Sequence, residues 1–318
     1  MTLLTSASTG SARPDTHDSR ILSDRVQAWA DQNTWDRSWR SGDLLGAKSG
    51  RAVSVVIPAH DDEETVGTVV AGVVSLLGGL VDEVVVIDCG SVDATAQRAA
   101  AAGARVETRE SVLPRVPVRP GRGEVLWRAP AAASGDLIVV LDADLVDPDP
   151  DYVPRLVAPL IVHPELRLVK GFSRSDPQSG DPAERVVQRL IASLLPELAG
   201  VEQVLSGGFA ATRSLLNSLP MAPGSGVEVG LLTDTLERYG LDAIGQANLG
   251  LVRRRRWARP DLAVVACQAA STLLQRVGTT TGAPSLEEAI SSVGFAMPAQ
   301  SPARFDRPPL RAWRTVAV

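Results

Sequence analysis

Leu137-Ile138-Val139-Val140-Leu141-Asp142-Ala143-Asp144 is the stretch whose reading decides the fold. Five consecutive apolar residues, several of them β-branched, predict a strand buried on both faces, as in the interior of a parallel sheet. Two carboxylates follow at once. Side chains two apart in a strand share a face, so Asp142 and Asp144 are expected to enter one crevice. In open α/β sheets ligands bind beyond the carboxyl ends of the strands, where this pair falls. Two hard oxygen ligands suit Mg²⁺ or Mn²⁺ carrying a diphosphate. A plainer reading has the two acids end a strand and solvate the turn that Asp147-Pro148-Asp149-Pro150 continues.

The flanking sequence extends the pattern. Val53-Ser54-Val55-Val56-Ile57-Pro58 reads as a strand, and Pro58 ends its pairing. Ala59-His60-Asp61-Asp62-Glu63-Glu64-Thr65 then opens a helix, and acids in a first turn are explained equally well by the positive helix end. Glu83-Val84-Val85-Val86-Ile87-Asp88 is a second buried strand with an acid at its end, followed by the turn Cys89-Gly90-Ser91 and a helix to Ala102. Ala104-Arg105-Val106-Glu107 reads as a short third strand. This alternation predicts a doubly wound α/β sheet with helices on both faces. Asp88 is placed to hold a ribose, but no G-x-G-x-x-G follows the first strand, which argues against a dehydrogenase. Pro120-Gly121-Arg122-Gly123-Glu124 offers a backbone able to approach a diphosphate, or simply a loop and a helix start.

Composition narrows the class. The 318 residues are 44% hydrophobic and 22% charged with a net charge of −5, which suits a soluble globular protein and gives no reason to expect nucleic-acid binding. The two cysteines form no metal or redox motif, no apolar run reaches membrane-spanning length, and the first residues lack a signal-peptide pattern. The expectation is a cytoplasmic protein without membrane contact.

Five regions are expected: a disordered start over 1–20, a helical segment over 21–50 with Trp29, Trp35 and Trp39 packed on the main body, an α/β core over 51–172, a further region over 173–280, and a tail over 281–318. Pro260 to Arg276 carries a helical apolar face that suits the sheet or a second subunit, and the tail is expected to be extended and to wrap a partner protomer in a homodimer.

Taken together, Val56-Ile57-Pro58-Ala59, Ile87-Asp88-Cys89-Gly90-Ser91, Gly121-Arg122-Gly123, Asp142-Ala143-Asp144, Gly207-Gly208-Phe209 and Gly226-Val227-Glu228-Val229-Gly230 resemble the GT-A nucleotide-sugar glycosyltransferases, in particular the actinobacterial glucosyl-3-phosphoglycerate synthases, which are retaining enzymes. The resemblance is collinear over roughly residues 25–280. It implies a hexosyltransferase with a UDP- or dTDP-linked donor and a Mg²⁺ or Mn²⁺ ion that is weakly held or partly dispensable, with 51–172 as the nucleotide-sugar-binding core and 173–280 as the acceptor and metal side. It places Pro58, Ala59, His60, Asp61 and Ser91 around the uridine and ribose, with Glu63 or Glu64 on the nucleoside. Arg122 stands where the family has a lysine near the diphosphate. Asp142, Ala143 and Asp144 match the family's D-x-D, Asp144 as the direct metal ligand, and Glu228 matches the acid near the donor sugar. Helix capping is the plainer role for Glu228.

Two departures matter. An ungapped reading puts Arg254 where the family has a metal-binding histidine and Arg256 where an acceptor-facing asparagine stands. The chain has only three histidines, none nearby, and arginine cannot lose its proton to bind a metal. A guanidinium can instead offset diphosphate charge, so Arg254 joins Asp144 and Glu228 as a catalytic candidate. In the acceptor region the stretch from Phe172 to Arg185 is shorter than in the family and Pro182-Ala183-Glu184 replaces its glycines; Arg185 keeps the arginine position, but Glu184 beside it is expected to repel a phosphorylated acid, and Val187 replaces a threonine. The expected acceptor is therefore a small neutral or weakly charged molecule, as in secondary-metabolite or nucleoside biosynthesis. The alternatives are a glucosyl-3-phosphoglycerate synthase proper, a nucleotidyltransferase, and an inactive nucleotide-sugar-binding protein.

Overall fold

The computed structural model describes residues 16–173, 182–205, 208–255, 259–278, 284–292, 295–298 and 305–316. Its strands are β1 (Thr34–Trp35), β2 (Val53–Ala59), β3 (Glu83–Asp88), β4 (Arg105–Thr108), β5 (Leu137–Val140), β6 (Leu145–Val146), β7 (Leu168–Phe172), β8 (Phe209–Thr212), β9 (Ile244–Asn248) and β10 (Arg253–Arg254). Among the described residues, eight strands form one sheet in the order β1-β9-β7-β8-β5-β2-β3-β4, and β10 and β6 form a separate antiparallel pair. Every pairing in the large sheet is parallel except the two made by β8, which runs antiparallel to both β5 and β7. The doubly wound sheet is present, with one reversed strand.

Both faces of the sheet are covered, which is why its strands are almost continuously apolar. Val56, Val85, Ile87, Ile138 and Val140 enter one core with the helices Arg122–Ala132, Pro182–Leu194, Gly226–Tyr239 and Arg259–Val277. Their alternates Val55, Ile57, Val84, Val86, Leu137 and Val139 enter a second core under the helices Val66–Val74 and Tyr152–Val162. This two-residue alternation between opposite cores is the pleat expressed in packing. The 173–280 stretch does not stand apart, because β8 and β9 hydrogen-bond into the same sheet. The helix Arg259–Val277 packs on its neighbours within the chain through Ala266, Ala269, Ala270 and Leu273.

The ends of the chain differ from expectation. A helix spans Thr16–Asn33, so it begins inside the stretch that composition leaves unstructured; residues 1–15 lie outside the described residues. Trp29 secures it to the sheet, its indole Nε1 donating to Ile244 O at 2.9 Å. At the other end, Arg307 and Leu310 are buried against their own chain. Arg307 exchanges backbone hydrogen bonds with Met221, and Trp127 Nε1 donates to Pro308 O at 2.8 Å. The Arg307 guanidinium grips both oxygens of the buried Glu124, Nε at 2.6 Å and Nη2 at 2.8 Å, while Arg128 Nε takes the same carboxylate at 2.8 Å. A distant segment is drawn in because a buried carboxylate and its neighbouring carbonyls need donors.

Breaking a buried ion pair by removing one partner leaves the other charge uncompensated. Arg307→Ala is therefore expected to lower stability by about 2–4 kcal/mol, the lower figures reflecting the remaining bond from Arg128. Urea unfolding followed by tryptophan fluorescence measures this, and an unchanged midpoint would show that the segment only rests on the surface.

Candidate active site

The parallel strands β2, β3 and β5 end side by side, and the candidate residues gather at those carboxyl ends. On the β2 side, Pro58 and Ala59 close the strand, and Asp61 is held at φ 52°, a left-handed conformation that asparagine and aspartate tolerate better than most residues. The two loops after β2 and β3 brace each other. Ser91 Oγ donates to Asp88 Oδ1 at 2.5 Å and accepts from Asp61 N at 3.0 Å, while Val92 N donates to Asp61 Oδ1 at 2.9 Å. Asp62 accepts from His60 N, and its own N donates to Thr95 Oγ1. Glu63 accepts from Ala94 N and lies 3.7 Å from Arg98, so its carboxylate serves the start of the next helix; Glu64 is exposed. The expected nucleoside residues are thus brought together as a pre-formed loop pair.

The D-x-D segment is arranged differently from the expectation. β5 ends at Val140, and Asp142 and Asp144 occupy the turn between β5 and β6. Their convergence comes from a shared partner, not from strand alternation. Arg254 Nη1 lies 2.5 Å from Asp142 Oδ2 and 3.3 Å from Asp144 Oδ1. The other Asp142 oxygen is 2.7 Å from Arg122 Nη2, and Arg122 Nε is 3.3 Å from Glu228 Oε1. Ala143, between the two acids, is buried.

Each of these side chains arrives by its own route. Arg122 opens the helix Arg122–Ala132, whose N-cap Gly121 has φ 94°. That helix start is pressed against the loop before Glu228: a Cβ on Gly123 would stand 1.9 Å from Ala222 O, so glycine is required there. Glu228 lies in the first turn of Gly226–Tyr239 but faces Arg122, so capping is not its role. Lys170, buried on β7, donates to Gly208 O at 3.3 Å and contributes to the field at Glu228 and Asp142. It was not among the expected site residues, although a lone charge inside the buried run of β7 was a signal. Arg255 was missed as well; it donates to Asp61 O at 2.8 Å and to Asp62 Oδ1 at 3.0 Å. Arg185 is exposed on Pro182–Leu194, and Arg256 lies outside the described residues.

The electrostatics follow from burial against pairing. Burial alone would raise Asp142, yet Arg122 and Arg254 hold it well below the usual carboxylate range. Burial dominates at Glu228, which is pushed up to about 7 even though Arg122 and Lys170 pull the other way. Burial also lowers Lys170, with Glu228, Glu184 and Asp142 opposing. Arg122, itself half-buried, is held between Asp142 and Glu228. Its charge and that of Arg254 suit an entering anion.

As to a metal, no group of three or more His, Cys, Asp or Glu side chains among the described residues is arranged to hold an ion. Asp142 and Asp144 are oxygen donors of the kind Mg²⁺ takes together with phosphate and water, so the pair fits an ion. That ion would have to take the position of the Arg254 guanidinium.

Glu228 also sets a pH dependence. Its ordinary value of 4.5 is raised to about 7 in the fold, so the folded state holds the extra proton between these values. That contribution to stability is full below about 4.5 and is lost as the pH rises through about 7. Thermal melts at pH 5 and pH 8 are expected to show a larger loss in the wild type than in Glu228→Gln. Equal losses would place the carboxylate in a more polar setting.

The family model described as glycosyl transferase family 2 matches residues 54–213. The chain is 48% identical to a glucosyl-3-phosphoglycerate synthase of Mycolicibacterium smegmatis over 297 residues, covering 90% of this chain and 98% of that one. It also matches the crystal structure of glucosyl-3-phosphoglycerate synthase from Mycobacterium tuberculosis in complex with Mn²⁺, UDP-glucose and phosphoglyceric acid, with a TM-score of 0.80, 45% identity and coverage of 89% of this chain and 99% of that one. The same enzyme in complex with Mg²⁺ and UDP matches at a TM-score of 0.80 and 46% identity, with the same coverage. Among the described residues no helix is long and apolar enough to cross a membrane. The fold is therefore GT-A, the activity is transfer of a sugar from a nucleotide-sugar donor, and the chain belongs to glycosyl transferase family 2 and, within it, to the glucosyl-3-phosphoglycerate synthase family.

Proposed function

We propose that this chain transfers glucose from UDP-glucose to 3-phosphoglycerate, with retention at the anomeric carbon. The observation that carries the reading is the similarity, over nine-tenths of the chain, to enzymes solved with UDP-glucose and phosphoglyceric acid, joined to an active-site end that gathers the guanidinium groups of Arg122 and Arg254. The neutral or weakly charged acceptor expected from sequence rested on a shortened loop after Phe172, most of which lies outside the described residues, on the lost hydroxyl at Val187 and on repulsion by Glu184. That carboxylate is buried and turned inward, where it accepts from Val204 N at 2.7 Å and Leu205 N at 2.8 Å. It braces the loop before β8, and the repulsion argument falls. Val187 is likewise buried, so its lost hydroxyl has no bearing on the acceptor surface. The relatives support phosphoglycerate over a secondary-metabolite acceptor.

The mechanism follows from charge placement. As the bond from the sugar C1 to the diphosphate breaks, negative charge grows on the leaving oxygen. Arg122, fixed in place by Asp142 and Glu228, is proposed to meet it with its guanidinium charge, and pre-placed charge of this kind lowers the barrier most where charge develops. Asp142 orients both guanidinium groups. Glu228, beside Arg122, is proposed to hold the donor sugar. The acceptor hydroxyl attacks C1 on the face being vacated, and its proton passes to the departing diphosphate. Arg185 and Arg256 are proposed to receive the acid groups of the acceptor, and Pro58, Ala59, His60, Asp61 and Ser91 the nucleoside. A divalent ion, when bound, would be held by Asp144 and Asp142 and would supply further positive charge at the diphosphate.

Purified protein given UDP-glucose and 3-phosphoglycerate is expected to release UDP and form a glucosylated phosphoglycerate, read by mass spectrometry. Asp144→Ala is expected to lower the rate by about a hundredfold, because Arg254 then loses one of the two carboxylates that hold its charge in place. Release of pyrophosphate would favour a nucleotidyltransferase, and turnover of neutral acceptors alone would return the secondary-metabolite reading.

A further inference from the structure

The Asp142–Asp144 turn already contains a cation. Arg254 is delivered to it by the backbone: β10 pairs antiparallel with β6, which begins directly after Asp144, with Arg254 opposite Leu145 and Arg253 opposite Val146. The next residue extends the ladder, Arg255 N donating to Asp144 O at 3.1 Å. Arg255 then fastens to Asp61 O and Asp62 Oδ1 on the nucleoside loop. The 253–255 segment is thus a strap pinned at the D-x-D turn and at the nucleoside side, with Arg254 between. One Arg254 nitrogen is within 3.3 Å of both carboxylates, a bridging position of the kind a small cation takes. With Arg122 on the second Asp142 oxygen, two acids face two permanent cations. A guanidinium does not lose its charge at any working pH and binds phosphate oxygens through the same planar fork. The Arg254 side chain is 27% exposed, so an edge remains for a ligand.

We infer that Arg254 is the resident cation of the diphosphate site, so that this chain binds a nucleoside diphosphate without a divalent ion and holds a free ion only weakly. The inference rests on the donor reading above. A dication would have to displace a guanidinium seated by a backbone ladder, whereas the diphosphate can bind with that guanidinium in place. Replacing arginine by histidine would remove the competing charge and add a nitrogen ligand, which favours Mn²⁺.

Isothermal titration with UDP, in chelator and in saturating Mn²⁺, tests this, together with Mn²⁺ binding followed by electron paramagnetic resonance without nucleotide. In the wild type, UDP affinity in chelator is expected to lie within about threefold of that in Mn²⁺. Arg254→Ala is expected to weaken UDP in chelator by about tenfold or more, the loss of a charged hydrogen bond. Arg254→His is expected to bind Mn²⁺ more tightly than the wild type and to make UDP binding depend on it. Arg254→Lys, which keeps the charge, should fall between wild type and alanine, and decides the matter if the alanine variant is misfolded. UDP binding by the wild type only in the presence of Mn²⁺, or an alanine variant that binds UDP in chelator as the wild type does, would overturn the inference. No UDP binding under either condition would overturn the donor assignment itself, and the inference with it.

Discussion

A carboxylate withdrawn from water must be met by a fixed positive charge, and the active-site end of this protein is built around that requirement. Asp142 is buried with both oxygens engaged, by Arg122 on one side and Arg254 on the other. An unpaired buried carboxylate is destabilising by several kcal/mol, to order of magnitude, so neither arginine is a decoration of the site. Glu228 is the contrasting case. It lies beside the same Arg122 but at 3.3 Å, and burial wins, raising it to about 7. Two acids a short distance apart are thus held in different states by the quality of their pairing.

Those pairings depend on structure far from the site. Arg122 can reach Asp142 only because its helix starts where Gly123 lets the backbone of Ala222 come close. The same helix is gripped two residues after Arg122 by Arg307, acting through Glu124. Asp306, next to Arg307, accepts from Arg276, which also binds Asp234 in the helix that carries Glu228. The C-terminal segment therefore joins the two helices that supply Arg122 and Glu228. Its contribution to the site is mechanical, through a chain of buried or half-buried ion pairs.

On the nucleoside side the constraint is different. The loops after β2 and β3 carry many backbone N–H groups at strand ends; Asp61, Ser91 and Asp93 satisfy them across the gap, and Asp62 and Asp88 within their own loops. The result is a rigid edge that has no need to reorganise on binding, which lowers the entropic penalty of holding a nucleotide. Arg255 adds a tie from this edge to the strap that carries Arg254. Donor binding and the seating of Arg254 are in this way physically connected.

The local sequence determined the layered sheet, because apolar runs such as Val84–Ile87 and Leu137–Val140 have one stable place, covered on both faces. It also determined which residues collect at the strand ends, since acids and glycines just past a buried strand must lie at its exit. What it left open was where charged side chains point. Strand periodicity aims Asp142 and Asp144 together, but the strand stops before them, and Arg254, 110 residues beyond Asp144, brings them together. Sequence position sets Glu184 beside the acceptor, whereas two backbone N–H groups on another segment turn it inward. The tail reads as unattached until Glu124, 183 residues before Arg307, is seen to need a partner. Burial is written in the local pattern because hydrophobicity is a property of each residue. The direction of a charge is decided only in the tertiary structure, because it is set by the opposite charge or donor that the rest of the chain brings near.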